Sequence, residues 1–269
     1  MNIQMNAASS TMSELQKKID IISNNVANVN TTGYKKQQAN FADALLHTVT
    51  KQAGTGEAGR STPPGLRVGG GAILSHGITR HTQGQFQETG RELDFAIQSP
   101  DGYFRVSDGE NTYYTRDGSF KTEAIPGSDR LALVTSGGDA VLGAGNAPIT
   151  IAAGYQDIVI GANGVLTINY ANQAAETVQL STAQVNRTAL LEKAGDNRYR
   201  LPGTEAQQLA NGTLQLAAFP IAQGSLETSN VELTDEMTEL IATQRLFQSQ
   251  GRAISFADDM MGLVNSMKS

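Results

Sequence analysis

Residues 8–33 read ASSTMSELQKKIDIISNNVANVNTTG. Within them Ala8, Met12, Leu15, Ile19, Ile22, Val26 and Val29 recur at spacings of 4, 3, 4, 3, 4 and 3. An apolar side chain every three to four residues marks a heptad seam, a narrow stripe along a helix that suits another helix. Ser23, Asn24, Asn25, Asn28 and Asn30 thicken toward its end, and Thr31-Thr32-Gly33 supplies a stop, with Gly33 as a left-handed cap. The far end of the chain carries the matching pattern. Leu233, Leu240, Phe247, Ile254 and Met261 fall seven apart, and Met237, Ile241, Ala257 and Val264 widen the stripe. Ser229 or Asn230 stands where an N-cap is needed, and Glu232, Asp235 and Glu236 suit the positive end of the helix dipole. At 1.5 Å per residue these helices would run roughly 35 and 50 Å.

Between the stripes the period changes to two, and tight-turn signals appear. Asp-Gly occurs at 101–102, 108–109 and 117–118, and Asn-Gly at 163–164 and 211–212. Such pairs tolerate the positive φ of two-residue hairpin turns. Tyr103–Val106 and Tyr113–Arg116 flank one such turn, and the run from Asp157 to Asn169 is apolar on both sides of its Asn-Gly. The fold class is therefore α+β: long N- and C-terminal helices, a coiled-coil-like pair, bracketing a predominantly β centre. The expected divisions are a helix with its extension over 1–49, a Gly/Pro-rich connector over 50–75, a β domain over 76–225 and a helical end over 226–269.

Composition removes most catalytic classes. The chain of 269 residues has no Cys, no Trp and three His. No thiol chemistry and no thiolate metal site is available. A net charge of −6 disfavours nucleic acid, whose binding rests on clustered Lys and Arg. His47 falls on an expected helical extension of the N-terminal segment. His76 and His81 are five apart in a β-type segment, which puts them on opposite faces and not in a metal pair. Gly54-Thr-Gly56-Glu-Ala-Gly59 matches a dinucleotide fingerprint but leads into Arg60-Ser-Thr-Pro-Pro instead of a helix, so a phosphate would find no helix N-terminus there. Asp101, Asp108 and Asp117 read as turn residues. The expectation is no enzyme, no cofactor, no metal and no small-molecule substrate. The N-terminus lacks the basic start and apolar block of a cleavable secretory signal.

An apolar stripe is ordinarily the inner face of a core helix. Here the stripes are narrow, lie at the two extremes of the chain and are separated by a β region. A lone helix of this kind does not repay the entropy of ordering it. Both ends are thus expected to be mobile in the monomer, ordering against each other and against neighbouring subunits. The assembly residues would be Met12, Leu15, Ile19, Ile22, Asn24, Asn25, Val26 and Asn28 on one helix, with Leu233, Met237, Leu240, Phe247, Ile254 and Met261 on the other.

Four stretches carry a resemblance. Ile22–Lys36 (ISNNVANVNTTGYKK) resembles the N-terminal signature of the bacterial flagellar rod and hook protein family, and 226–245 resembles that family's C-terminal helix. Thr89–Ile97 and Tyr114–Phe120 are similar to its central β motifs. Within the family the length and the 226–245 stretch look most like the distal rod type, with a proximal rod member or a Gram-positive variant as alternatives. The resemblance implies a structural basal-body subunit, exported unfolded by the flagellar type III apparatus without signal cleavage. It would polymerise with itself and with other rod and hook subunits into a hollow helical shaft, terminal helices inside and β domain outside. The competing expectation is a secreted adhesin-like binding module with coiled-coil ends.

Overall fold

A computed structural model describes residues 2–43, 47–49, 66–68, 72–161, 163–171 and 174–267. Most of the expected connector, including the Gly54–Gly59 match, lies outside the described residues. Helix α1 spans Asn2–Ala27, α2 Glu205–Ala210 and α3 Leu233–Ser266. Among the described residues between α1 and α3, the regular structure is mostly short antiparallel strands, so the α+β expectation holds. The chain divides into two compact units. A terminal unit holds 1–26, 37–78 and 233–269, and a central unit holds 27–36 and 79–232.

The central unit is built on a ten-stranded antiparallel sheet. Its middle is the hairpin of Gly102–Ser107 with Thr112–Thr115, joined through Asp108-Gly109. Asp108 accepts from the Glu110 and Asn111 amides at 2.9 and 2.8 Å, and Gly109 sits at φ +100°. Strand alternation sends Phe104 and Val106 into one core with Phe95, Phe120 and Ile168, while Tyr103 joins a second with Tyr114, Tyr199 and Leu214. The expected hairpin around Asn163-Gly164 is formed by Tyr155–Ile160 and Val165–Tyr170, with Glu176–Gln179 added as a third strand. Two short pairings close the unit, Phe95–Ile97 with Ile221–Gln223 and Phe86–Glu88 with Ser225–Glu227.

Several local expectations are corrected. His47 is not helical: His47–Val49 pairs antiparallel with Leu66–Val68, where β-branched Thr48 and Val49 favour a strand. Asn211-Gly212 ends α2 and makes no hairpin, and Gly102 and Gly118 are not among the positive-φ glycines. Gly118 is instead demanded by crowding, because a Cβ there would lie 1.7 Å from the Phe95 carbonyl oxygen. Gly33 does not cap α1, which ends six residues earlier at Ala27. Asn230 does not cap α3 either. Its amide is spent holding loops, accepting from the Lys36 amide at 2.7 Å and donating to the Arg80 and Thr82 carbonyls at 2.9 and 3.0 Å.

Candidate assembly interface and its buried anchor

In the terminal unit α1 and α3 meet at both ends of α1. Asn25 is buried and fully engaged: its amide donates to Glu236 Oε2 at 3.0 Å and to the Gln37 carbonyl at 2.8 Å, and its oxygen accepts from the Gln37 amide at 3.0 Å. Lys18 pairs with Glu239 at 2.7 Å. Toward the start of α1, Met5, Ala8 and Thr11 share a groove of about 580 Å³ with Ala253, Ile254, Phe256, Ala257 and Met260 of α3. Low numbers on α1 thus face high numbers on α3, and the two helices run antiparallel.

The expected assembly residues distribute unevenly over this pair. Leu15 and Ile22 are buried, Met12, Ile19 and Val26 half-buried, and Asn24 exposed. Asn28, in the central unit, is half-buried and accepts from Thr31 Oγ1 at 3.1 Å. On α3, Leu240, Phe247, Ile254 and Met261 are half-buried, whereas Leu233 and Met237 lie in solvent at 45 and 41% exposure. The less accessible row of α3 is Glu236, Leu240, Thr243, Phe247, Gln250, Ile254, Ala257 and Met261, again at alternating spacings of four and three. Three of these positions, Glu236, Thr243 and Gln250, are polar and carry no apolar periodicity. Thr243 satisfies its hydroxyl within the helix by donating to the Glu239 carbonyl at 2.7 Å, so it can be buried without loss.

The central unit brings together three charged residues that lie far apart in the sequence. The Glu227 carboxylate accepts from Lys35 Nζ at 2.5 Å and the Gly84 amide at 2.9 Å on one oxygen, and from Arg116 Nη1 at 3.2 Å on the other. All three side chains are at most 1% exposed. Lys35 also donates to the Thr82 carbonyl at 2.7 Å, and Arg116 donates to the Ser99 carbonyl at 2.8 Å and to that of Pro100. The Arg116 guanidinium lies 4.7 Å from the Tyr103 ring centre. Buried charge persists only when paired and hydrogen-bonded, and these partners meet that condition.

Gly33 explains how the loop reaches this anchor. Its φ is +66°, and a Cβ would come within 2.6 Å of the Arg116 and Asp117 backbone. Its amide donates to the Glu227 carbonyl at 2.8 Å. Thr32 donates to Asp117 at 2.9 Å, and the Asn197 side chain donates to the Thr32 carbonyl at 2.9 Å. The stretches resembling the family's N-terminal, central and C-terminal signatures therefore converge here, contributing Lys35, Arg116 and Glu227.

Burial dominates the titration of the groups around this cluster. Burial lowers the Lys35 pKa, against the pull of Glu227. His81, whose Nδ1 lies 2.8 Å from the Tyr103 hydroxyl, is pushed down to about 4 by burial and then by Lys35, Arg116 and Lys193. Burial raises Tyr103 to about 12 and Tyr199 further still. Lys193, 4.5 Å from the Tyr34 ring centre, is lowered to about 8 by burial. The buried, mutually paired charges read as an anchor.

The comparisons with known proteins agree with this geometry. Residues 5–35 match the family described as flagella basal body rod protein. Residues 96–168 match the flagellar hook protein FlgE/F/G D1 domain, and 222–267 the flagellar basal body rod FlgEFG protein C-terminal family. The chain is 37% identical over 268 residues to the flagellar hook-basal body complex protein FlhP of Bacillus subtilis (strain 168), covering 98% of each chain. It is 34% identical to the flagellar basal-body rod protein FlgG of the same organism, covering 96% of each. With the FlgG of Borreliella burgdorferi the identity is 33% and the coverage 97% of each. The chain belongs to the flagellar basal-body rod protein family, whose members are structural and not enzymes.

Proposed function

We propose that this chain is a structural subunit of the flagellar basal-body rod, polymerising into a hollow helical shaft that carries torque from motor to hook and conducts exported subunits. The observation that carries the reading is the joining of three separated family signatures at Lys35, Arg116 and Glu227, in a chain related to rod proteins along its whole length. In this reading α1 and α3 form a coiled-coil-like inner layer, the seam residues from Met12 to Asn28 and from Leu233 to Met261 pack within and between subunits, and the central β unit lies outside. Other rod and hook subunits are the partners. Export proceeds unfolded through the flagellar type III apparatus with no signal cleaved, and a chain without Cys suits that route. Nothing in the fold or the comparisons favours the adhesin alternative.

In-frame deletion tests the proposal directly. The expected result is loss of swimming, restored by the gene in trans, with the protein recovered in purified basal bodies. A deletion strain that swims on complete basal bodies would refute it.

A further inference from the structure

α3 carries more apolar surface than α1 can cover. Ala253, Phe256, Met260, Leu263 and Met267 recur at spacings of 3, 4, 3 and 4, and Leu246 continues the row one heptad earlier. This is a second heptad seam, and it is exposed: Phe256 at 68%, Leu263 at 61% and Met267 at 87%. At about 100° per residue it lies roughly 120° around the helix from the row that includes Leu240, Phe247 and Ile254. A third stripe, Leu233, Met237 and Ile241, occupies the first half of α3 roughly 120° from both, at 45, 41 and 51% exposure. A helix with three apolar stripes is built for more than one helical neighbour.

We infer that the Phe256–Leu263 seam of one chain docks on the Leu233–Met237–Ile241 stripe of a second copy. The inference rests on the rod-subunit reading and names which surfaces meet. Heptad spacing calls for a helix as occupant. The seam opens into the groove whose other bank is α1, so an incoming helix would extend the existing α1–α3 contact; Ala8, Ala253 and Ala257 leave room for close approach. The outward positions of α1 (Ser9, Ser13, Gln16, Lys17, Asp20 and Ser23) are polar and exposed and offer no complement. Among the described long helices, Leu233, Met237 and Ile241 form the remaining exposed apolar stripe. Donor and acceptor are different surfaces at opposite ends of one helix, so the contact is head-to-tail, and repeating it produces an open fibre.

Two full-length variants test this, one Phe256→Asp with Leu263→Asp, the other Met237→Asp with Ile241→Asp. The positions are exposed, and circular dichroism should show unchanged helix content. In sedimentation, the wild type should grow in mass with concentration without a plateau. Each variant alone should remain a single chain, and an equimolar mixture should stop at two chains, because one intact donor meets one intact acceptor. The inference is overturned if either variant still forms long polymers, if either forms a homodimer, if the mixture remains single chains, or if wild-type chains associate only when a different rod-family chain is added. Each of those results, obtained with a wild-type chain that is still recovered in basal bodies, would leave the rod-subunit proposal standing.

Discussion

Lys35 and Glu227 are 192 positions apart in the chain, yet the ammonium of one lies 2.5 Å from the carboxylate of the other, with both side chains shut away from water. Arg116 reaches the same carboxylate from the far side. One acidic group thus holds the segment leaving α1, the central hairpin and the segment entering α3.

The three members of this anchor are not equivalent. Glu227→Ala strands two buried cations, and removing one partner of a buried pair costs about 3–5 kcal/mol. Lys35→Met leaves Glu227 still paired with Arg116 and should cost clearly less. Urea unfolding of the central unit, followed by tyrosine fluorescence, checks the order; equal losses would mean that Glu227 is not the hub.

Gly33→Ala should destabilise the central unit by about 2 kcal/mol or more. A left-handed backbone costs a side chain about 1–2 kcal/mol, and the new Cβ also meets the Arg116 and Asp117 backbone at 2.6 Å. Gly109→Ala is the control: its φ is +100°, but nothing lies within 4 Å of the added carbon. The cost there should be limited to the backbone term, and thermal melts separate the two.

Stability should fall with acid through His81. Its folded pKa, about 4, lies below the unfolded 6.5, so the unfolded chain binds the proton more readily. The contribution is present above about pH 6.5 and is lost as the pH falls toward 4, amounting to about 3 kcal/mol at 1.36 kcal/mol per pH unit. His81→Gln should remove this part of the acid sensitivity. Denaturant curves of wild type and variant at neutral pH and near pH 4 measure the difference.

Ile22→Asp and Phe247→Asp place a carboxylate in the helix seam, at a cost of several kcal/mol. Motility and assembly should fail while the central unit keeps its melting transition. A swimming strain with either change would mean that the seam is not an assembly surface.

Hydrogen exchange should separate anchor from helices. The Gly33 amide, bonded to the Glu227 carbonyl at 2.8 Å, should exchange as slowly as the central sheet in a single chain. Amides of α3 beyond Phe247 should exchange quickly in the monomer and slow down in the polymer. Fast exchange at Gly33 would place the loop outside the central unit.

Periodicity made the helices, the β centre and the Asp108-Gly109 and Asn163-Gly164 hairpins legible, because each depends on residues close together in the chain. The burial of Leu15 and Ile22 and the partial burial of Phe247 follow the same periodicity. The His47 segment was misread because its apolar run fits either a helix or a strand, and the pairing with Leu66–Val68 decided between them. Thr243 and Gln250 carry no apolar signature, and Glu236 reads from the sequence as a helix-dipole acid and not as a member of the less accessible row.

By itself the sequence determined the two terminal helices, the β centre between them and two of its hairpins, together with the absence of thiol chemistry, since propensity, spacing and composition are local properties. Tertiary structure alone decided that Lys35, Arg116 and Glu227 are one buried cluster, that Gly33 serves a close approach and not a helix end, and that α3 has two apolar stripes exposed. Burial and pairing of charge depend on which distant segments share a volume, and no local pattern encodes that.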